Sequence, residues 1–397
     1  MTSDKVPSEI TYQEGPSGDR RQLWGFRIPD SMPRMQWIKL GLAPDQTAGI
    51  SSRLSSAYSD DRLAPPPYDI SEEDAVTDYL RSLRRHTINV LSSKVGRAFD
   101  GMPLEFVITV PAMWSEKAKV ATLACAERAG FGDTSKIRII SEPEAAAMHA
   151  IHASSPNGLE VGDTIVLCDA GGGTVDLITY SIVELKPNLV LKEEAPGNGG
   201  LCGSTFLNRR FEVFLKERLS SSPGWDNDTL EEALHRFETV AKRNFSGNIY
   251  DDFHFPVPGI ANDEKTGVYR GRLQVTGQEM KALFAPVLQE VQDLVYGQIQ
   301  ASRKRVKAIF LVGGFGQSPY LRSYLRGTFS PEIEVLAPVN GWTAVVRGAL
   351  IKTLGEISPH AITTSVESRV ARKNYGIRIS TKFIEGKHDK TKRWVSN

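Results

Sequence analysis

The stretch Asp169-Ala170-Gly171-Gly172-Gly173-Thr174-Val175-Asp176 gathers the residue types that hold a phosphate and a metal. Glycines allow φ > 0 and a close backbone approach, so successive N–H groups can line one anion-binding concavity, and Thr174 adds a hydroxyl. Asp169 and Asp176 are hard oxygen ligands, suited to Mg²⁺ directly or through its waters, and the cation would offset the charge of a nucleotide. The turn follows the apolar run Thr164 to Cys168 and leads into another, Val175 to Val183, so its glycines are expected at a hairpin tip. A plain glycine-rich hairpin would have the same local pattern, and so short a motif does not choose between the two.

A second glycine turn, Gly313-Gly314-Phe315-Gly316-Gln317-Ser318-Pro319, joins the buried strand Val306 to Val312 to a helix from Tyr320 to Arg326. Strand, glycine turn and helix in that order suit a ligand-binding edge. Between the two turns, Gly197 to Gly200 and Gly203 precede a helix from about Ser204 to Leu219, and a longer helix runs from Thr229 to Phe245. The latter ends in Ala241-Lys242-Arg243-Asn244-Phe245-Ser246, a basic exit that complements the helix dipole and could also clamp a nucleotide. Thr276 and Glu279 form a capping box for a helix towards Ile299, expected to bend at Pro286.

The first half supplies the other supports. Lys5 to Tyr12 and Gln22 to Ile28 read as short strands, and Trp37-Ile38-Lys39-Leu40 as a small amphipathic piece. Ala43 to Asp69, rich in Ser, Asp and Pro, reads as an exposed loop, followed by a helix capped by Ser71 and Asp74. Leu104 to Val110, a helix opened by Ser115, and Ile137 to Ile140 predict a parallel crossover. After Ser141-Glu142-Pro143, the alanine-rich run to Ala153 permits close packing against another backbone and could bridge two domains. Ser154 to Asp163 is the expected boundary.

Composition narrows the function classes. A chain of 397 residues with 40% apolar content suggests two or three soluble domains. A formal net charge of +1 gives no field that argues for nucleic acid or an anionic membrane. Cys125, Cys168 and Cys202 each sit in or beside an apolar stretch, which favours buried free thiols in a reducing compartment. With no apolar run of membrane-spanning length and a polar start, a cytoplasmic or nuclear protein is the expectation.

Taken together, the motifs resemble the ATPase domain of the heat shock protein 70 family, within the actin-like ATPase superfamily. Val6-Pro7-Ser8, Val107-Ile108-Thr109-Val110-Pro111-Ala112, Ala126 to Phe131, Ser141-Glu142-Pro143-Glu144-Ala145-Ala146-Ala147 and both glycine turns carry the resemblance, in order and spacing, over most of residues 5 to 350. It is closer to divergent, mostly ATPase-only relatives than to the standard chaperone. The fold implied is α/β, with two ribonuclease-H-like lobes around a nucleotide cleft: a first lobe over 1–153, a second over 163–355 and a partly irregular extension over 356–397. ATP or ADP with Mg²⁺ is the implied ligand, and client proteins or cochaperones are the implied partners.

Residue by residue, the resemblance implies that Gly171, Gly172, Gly173 and Thr174 bind phosphate while Asp169 and Asp176 stand near the metal. Glu142 and Lys39 would position the attacking water and stabilise the transferring phosphate. A solvated surface lysine is the competing reading of Lys39. Lys242, Arg243 and Ser246 would enclose adenosine with Gly313, Gly314, Phe315 and Gln317, where Phe315 and Gln317 replace a serine and an arginine of the family pattern. Pro111 and Lys119 fall where the family relays nucleotide state outward.

The family opens with strands bearing a D-x-G-T-T turn, the other half of its phosphate clamp, and this sequence starts just beyond it. The expectation is an incomplete first lobe with open edges on Leu104–Val110 and Ile137–Ile140, weakened nucleotide binding and impaired hydrolysis, explained by a truncated gene model, a splice form or a degenerate copy. Two other readings stand beside a chaperone-type ATPase: a non-catalytic scaffold, and a sugar or acyl kinase of the same fold. The kinase would need an acidic substrate constellation that the sequence does not display.

Overall fold

The computed structural model describes residues 5–15, 20–29, 32–44, 69–112, 114–154, 158–186, 188–357, 364–371, 376 and 381–393. Most of the Ser-, Asp- and Pro-rich stretch with Pro65 to Pro67, the turn residues 16–18 and the tail 394–397 lie outside them. Among the described residues no helix is long and apolar enough to cross a membrane.

In chain order, β1 (Ile10–Glu14) and β2 (Arg20–Trp24) form an antiparallel hairpin, and Ile38–Leu42 makes a 3₁₀ turn. The expected strands are shifted: Val6 to Glu9 precede the first, and Gly25–Arg27 form a 3₁₀ turn. Helix α1 (Glu72–Val95) starts at the Ser71–Asp74 capping box. Next come β3 (Phe106–Val110), α2 (Glu116–Arg128) and β4 (Ile137–Ser141), and β3 and β4 pair in parallel, as the crossover reading requires. Among the described residues this sheet has two strands, so each keeps an open edge. Helix α3 (Glu142–Ser154) begins directly at the end of β4, with Pro143 in the first turn, where a missing N–H costs nothing.

The larger sheet is built from β5 (Thr164–Ala170), β6 (Val175–Glu184) and β7 (Leu189–Gly200). Helix α4 (Thr205–Leu219) and helix α5 (Asn227–Arg236) follow, the latter continuing through a π-helical turn, Phe237–Ala241, into Lys242–Asn244. Strands β8 (Asp252–Pro256), β9 (Val268–Tyr269) and β10 (Arg272–Thr276) make a small antiparallel sheet. Helix α6 (Gly277–Ala301) starts at the Thr276–Glu279 box and contains Pro286. The chain closes with β11 (Val306–Val312), α7 (Pro319–Phe329), β12 (Glu334–Leu336), α8 (Ala344–Ile357) and β13 (Thr364–Ser368). Strand β13, in the stretch read as an extension, joins the large sheet, whose order is β12-β11-β5-β6-β7-β13.

One face of that sheet packs on α4, α5, α6 and α7 around Phe211, Phe237, Phe255 and Phe284. The other packs on α3 and α8 through Ala146, Ala147, Ala150 and Ala344. The mixed α/β architecture is that of the actin-like ATPase fold. Cys125, Cys168 and Cys202 are all buried free thiols.

Candidate nucleotide site

Strand register brings the two glycine turns to one place. Asp169 pairs with Asp176 across the β5–β6 hairpin, so the carboxylates face each other at its tip. Val312 pairs with Asp169 in the parallel β11–β5 ladder, so the turn after β11 emerges beside the turn after β5. The contact is close: a Cβ on Gly313, which has φ 81°, would lie 2.3 Å from the Ala170 carbonyl oxygen and 2.4 Å from Asp169 Oδ1. Only glycine fits there.

The phosphate turn does not use the positive φ that its glycines allow: none of Gly171, Gly172 and Gly173 is among the positive-φ glycines. The turn is clamped by the start of α4. The N–H groups of Gly203, Ser204 and Thr205 donate to the carbonyls of Gly173, Gly171 and Gly172 at 3.3, 3.1 and 2.8 Å. Gly203 allows that approach, since a Cβ there would lie 2.3 Å from the Gly172 oxygen. Gly171 N–H donates to the Thr174 carbonyl at 2.9 Å, while the N–H groups of Gly172 and Gly173 have no backbone acceptor among the described residues.

Asp169, the turn Gly171–Thr174, Thr205 and Gly313 line a cavity of about 1310 Å³ together with Lys5, Lys39, Glu142 and Trp342, while Asp176 stands outside the lining. Lys39 Nζ lies 3.3 Å from Glu142 Oε1. Burial pulls the Lys39 ammonium down, yet Glu142, Asp176 and Asp169 together hold it above its ordinary value. Burial, then Glu142 and Asp176, push the Asp169 carboxyl up to about 7, against the pull of Lys5 and Lys39. Asp176 is pushed up to about 6 by burial and Glu142, opposed by Lys39 and by the Thr174 hydroxyl. The cluster therefore holds three carboxylates against two ammonium groups, an excess that favours a cation. Among the described residues no three His, Cys, Asp or Glu converge closely enough to hold a metal ion directly. The donor set fits a cation held through its water shell.

The residues expected around adenosine are not brought into this cavity in the same way. Lys242, Arg243, Ser246, Gly314, Phe315 and Gln317 stand outside its lining. Phe315 is 3% exposed and packs in the core among the β11 and α7 side chains, as an aromatic in a serine's place would. Lys242 is buried, donating to Asn208 Oδ1 at 2.9 Å and pairing with Glu238. Burial holds its ammonium below the ordinary value, with Glu238 opposing. Arg243 and Ser246 are exposed. Gln317 Oε1 accepts from Arg322 Nη2 at 2.6 Å. Pro111 is buried, and Lys119 pairs with Glu116 at 2.7 Å on the surface of α2.

Several lining residues were not foreseen. Thr205, Asn208, Arg209 and Glu212 form one polar face of α4, and Arg209 lies 5.6 Å from the ring centroid of Trp37 and 3.1 Å from Glu212. Their i, i+3, i+4, i+7 spacing, opposite Leu207, Phe211 and Leu215, was the available signal. Lys5 and Trp342 had none beyond their types.

Residues 74–365, well over half of the chain, match the family model described as Hsp70 protein. This chain belongs to the Hsp70 family. That membership sets the kinase reading aside. Human heat shock 70 kDa protein 12A is 24% identical over 396 residues, covering 80% of this chain and 57% of that protein. Human heat shock 70 kDa protein 12B is 22% identical, covering 80% and 56%. Chaperone protein DnaK of Thermosipho melanesiensis is 25% identical over 283 residues, covering 69% and 43%. The chain thus spans about half the length of the curated relatives it matches. Lys5 and Lys39 precede the stretch matched to the Hsp70 family, so their place in the site rests on geometry.

Proposed function

We propose that this Hsp70-family chain binds Mg²⁺–ATP or Mg²⁺–ADP at the Gly171–Thr174 turn and uses the nucleotide for a chaperone-type role, in keeping with the names of its relatives. The observation that carries the reading is the hydrogen bonding of that turn. Its carbonyls are taken by Gly203, Ser204 and Thr205, which leaves the N–H groups of Gly172 and Gly173 for an anion. Asp169 and Asp176 would hold a hydrated Mg²⁺, whose charge lets polyphosphate approach three carboxylates. Glu142 would orient the attacking water, and Lys39, held by Glu142, would face the transferring phosphate. Cytoplasmic placement is proposed with the role, in line with three buried free thiols.

Titration calorimetry on the purified chain tests the reading. Mg²⁺–ADP and Mg²⁺–ATP are expected to bind, and Gly172→Asp, which aims a carboxylate at the anion site, to abolish the heat. No binding to protein shown to be folded by circular dichroism would overturn the proposal. In single-turnover hydrolysis, Glu142→Gln is expected to slow the chemical step by about 100-fold or more while leaving affinity within a few-fold.

A non-catalytic scaffold is the second reading. It is favoured by Phe315 sitting in the core and Lys242 being paired internally, which leave the site without two of the expected adenosine contacts. Binding without measurable turnover would select it.

A further inference from the structure

Beyond the phosphate turn the cavity wall continues into an aromatic surface. Trp342 lines the cavity beside Gly313. The two turns are locked together, because Gly313 N–H donates to the carbonyl of Gly341 at 3.0 Å. Gly314 is what admits the ring: a Cβ there would lie 2.7 Å from Trp342 Cζ3 and 3.2 Å from Cε3. The indole therefore covers a bare stretch of backbone one residue beyond the glycine that touches Asp169. Consecutive α-carbons are about 3.8 Å apart, so the ring stands within a nucleoside's reach of the phosphate turn.

The Lys5 ammonium lies 4.7 Å from the centroid of the Trp342 ring, so the indole presents a π face to the site. That planar π surface stands beside a turn whose free N–H groups suit phosphate, which is the chemistry that a nucleobase and its phosphates complement.

We propose that Trp342 forms the base subsite, stacking the nucleobase of the nucleotide whose phosphates are held at Gly171–Thr174. The inference rests on the nucleotide-binding reading above and replaces the contacts that Phe315 no longer makes. The competing explanation is that the indole merely plugs the space over Gly314. A plug would stabilise the fold without distinguishing a nucleotide from bare polyphosphate.

Calorimetric titration of the full chain with Mg²⁺–ATP and with inorganic Mg²⁺–tripolyphosphate separates the two. In the unsubstituted protein ATP is expected to bind more tightly than tripolyphosphate. Trp342→Ala should weaken ATP by about 5- to 150-fold, the range observed when an aromatic stacking on a base is removed, and leave tripolyphosphate within twofold. Trp342→Phe should retain most of the ATP affinity. If the alanine variant fails to fold, Trp342→Leu, which keeps apolar bulk without a π face, is expected to show the same selective loss. Equal losses for both ligands, or equal affinity for both in the unsubstituted protein, would overturn the base subsite while leaving the phosphate site standing. If neither ligand binds the folded protein, the nucleotide reading itself fails and Trp342 loses its role with it.

Discussion

Gly348→Ala is expected to cost about 3 kcal/mol or more of folding free energy, although it adds a single methyl group to a helix. The added Cβ would lie 1.6 Å from the carbonyl oxygen of Ala145 and 2.4 Å from its carbonyl carbon. Both are backbone atoms of α3, so no rotamer change relieves the clash, and the helices must move apart. Ala145, Ala146, Ala147 and Ala150 are all fully buried, so separating α3 from α8 would open voids along the whole crossing. The gain that glycine-to-alanine exchange normally brings to a helix interior, about 1 kcal/mol, is too small to compensate. Urea unfolding measures the effect, as a lower midpoint at unchanged slope. A loss below about 1 kcal/mol would mean that the crossing is loose. The consequence reaches the site, because α3 begins with Glu142 and α8 begins two residues after Trp342. A variant that still folds should therefore also bind nucleotide more weakly, even though Gly348 does not line the cavity.

The α3 side of this crossing was legible in the sequence because small residues in a helical run leave little else for the backbone to do than approach a neighbour, whereas its partner α8 was not read. The capping boxes at Ser71–Asp74 and Thr276–Glu279 were legible for a similar reason: the pattern and the hydrogen bonds are local. The two glycine turns could be read as candidate sites, and β-ladder register then placed them together. What could not be read depended on three-dimensional detail that short-range periodicity does not encode. Along Thr229 to Phe245 the sequence suggests an uninterrupted helix, but the π turn at Phe237–Ala241 inserts an extra residue per turn and changes which side chains face inward. Lys242, expected to reach a ligand, thus lies buried against Glu238 and Asn208. Gly171 to Gly173 were expected to serve φ > 0 and a close backbone approach; none takes positive φ, and the glycine whose Cβ would collide where α4 docks on the turn is the distant Gly203. Trp342 lies in a three-residue 3₁₀ turn, Gly341–Thr343, opened by Asn340 in a left-handed conformation at φ 61°. A lone aromatic in a turn gives no sequence signal of the surface it covers.

Asp169→Asn is expected to stabilise the nucleotide-free protein at pH 8 while abolishing its response to Mg²⁺–nucleotide. The Asp169 carboxyl is raised from 3.8 to about 7, chiefly by burial and then by Glu142 and Asp176. The folded state therefore binds this proton more tightly than the unfolded state does. Below pH 3.8 the carboxyl is protonated in both states and has no cost. As pH rises from there to about 7, the folded state must hold either a proton or an unfavourable charge, and the penalty grows until it is complete above 7. Asparagine mimics the neutral form, so its gain should be about 2–4 kcal/mol at pH 8, smaller at pH 6 and close to zero at pH 4. The attraction of Lys5 and Lys39 for the charged form is already contained in that shift. Chemical unfolding at the three pH values gives the profile directly. A gain independent of pH would mean that packing, not charge, is at work, and no gain would mean that the two lysines already neutralise Asp169. Addition of Mg²⁺–ADP should stabilise the unsubstituted protein and leave Asp169→Asn unmoved, since the charge that destabilises the empty site is the one that would hold the hydrated cation.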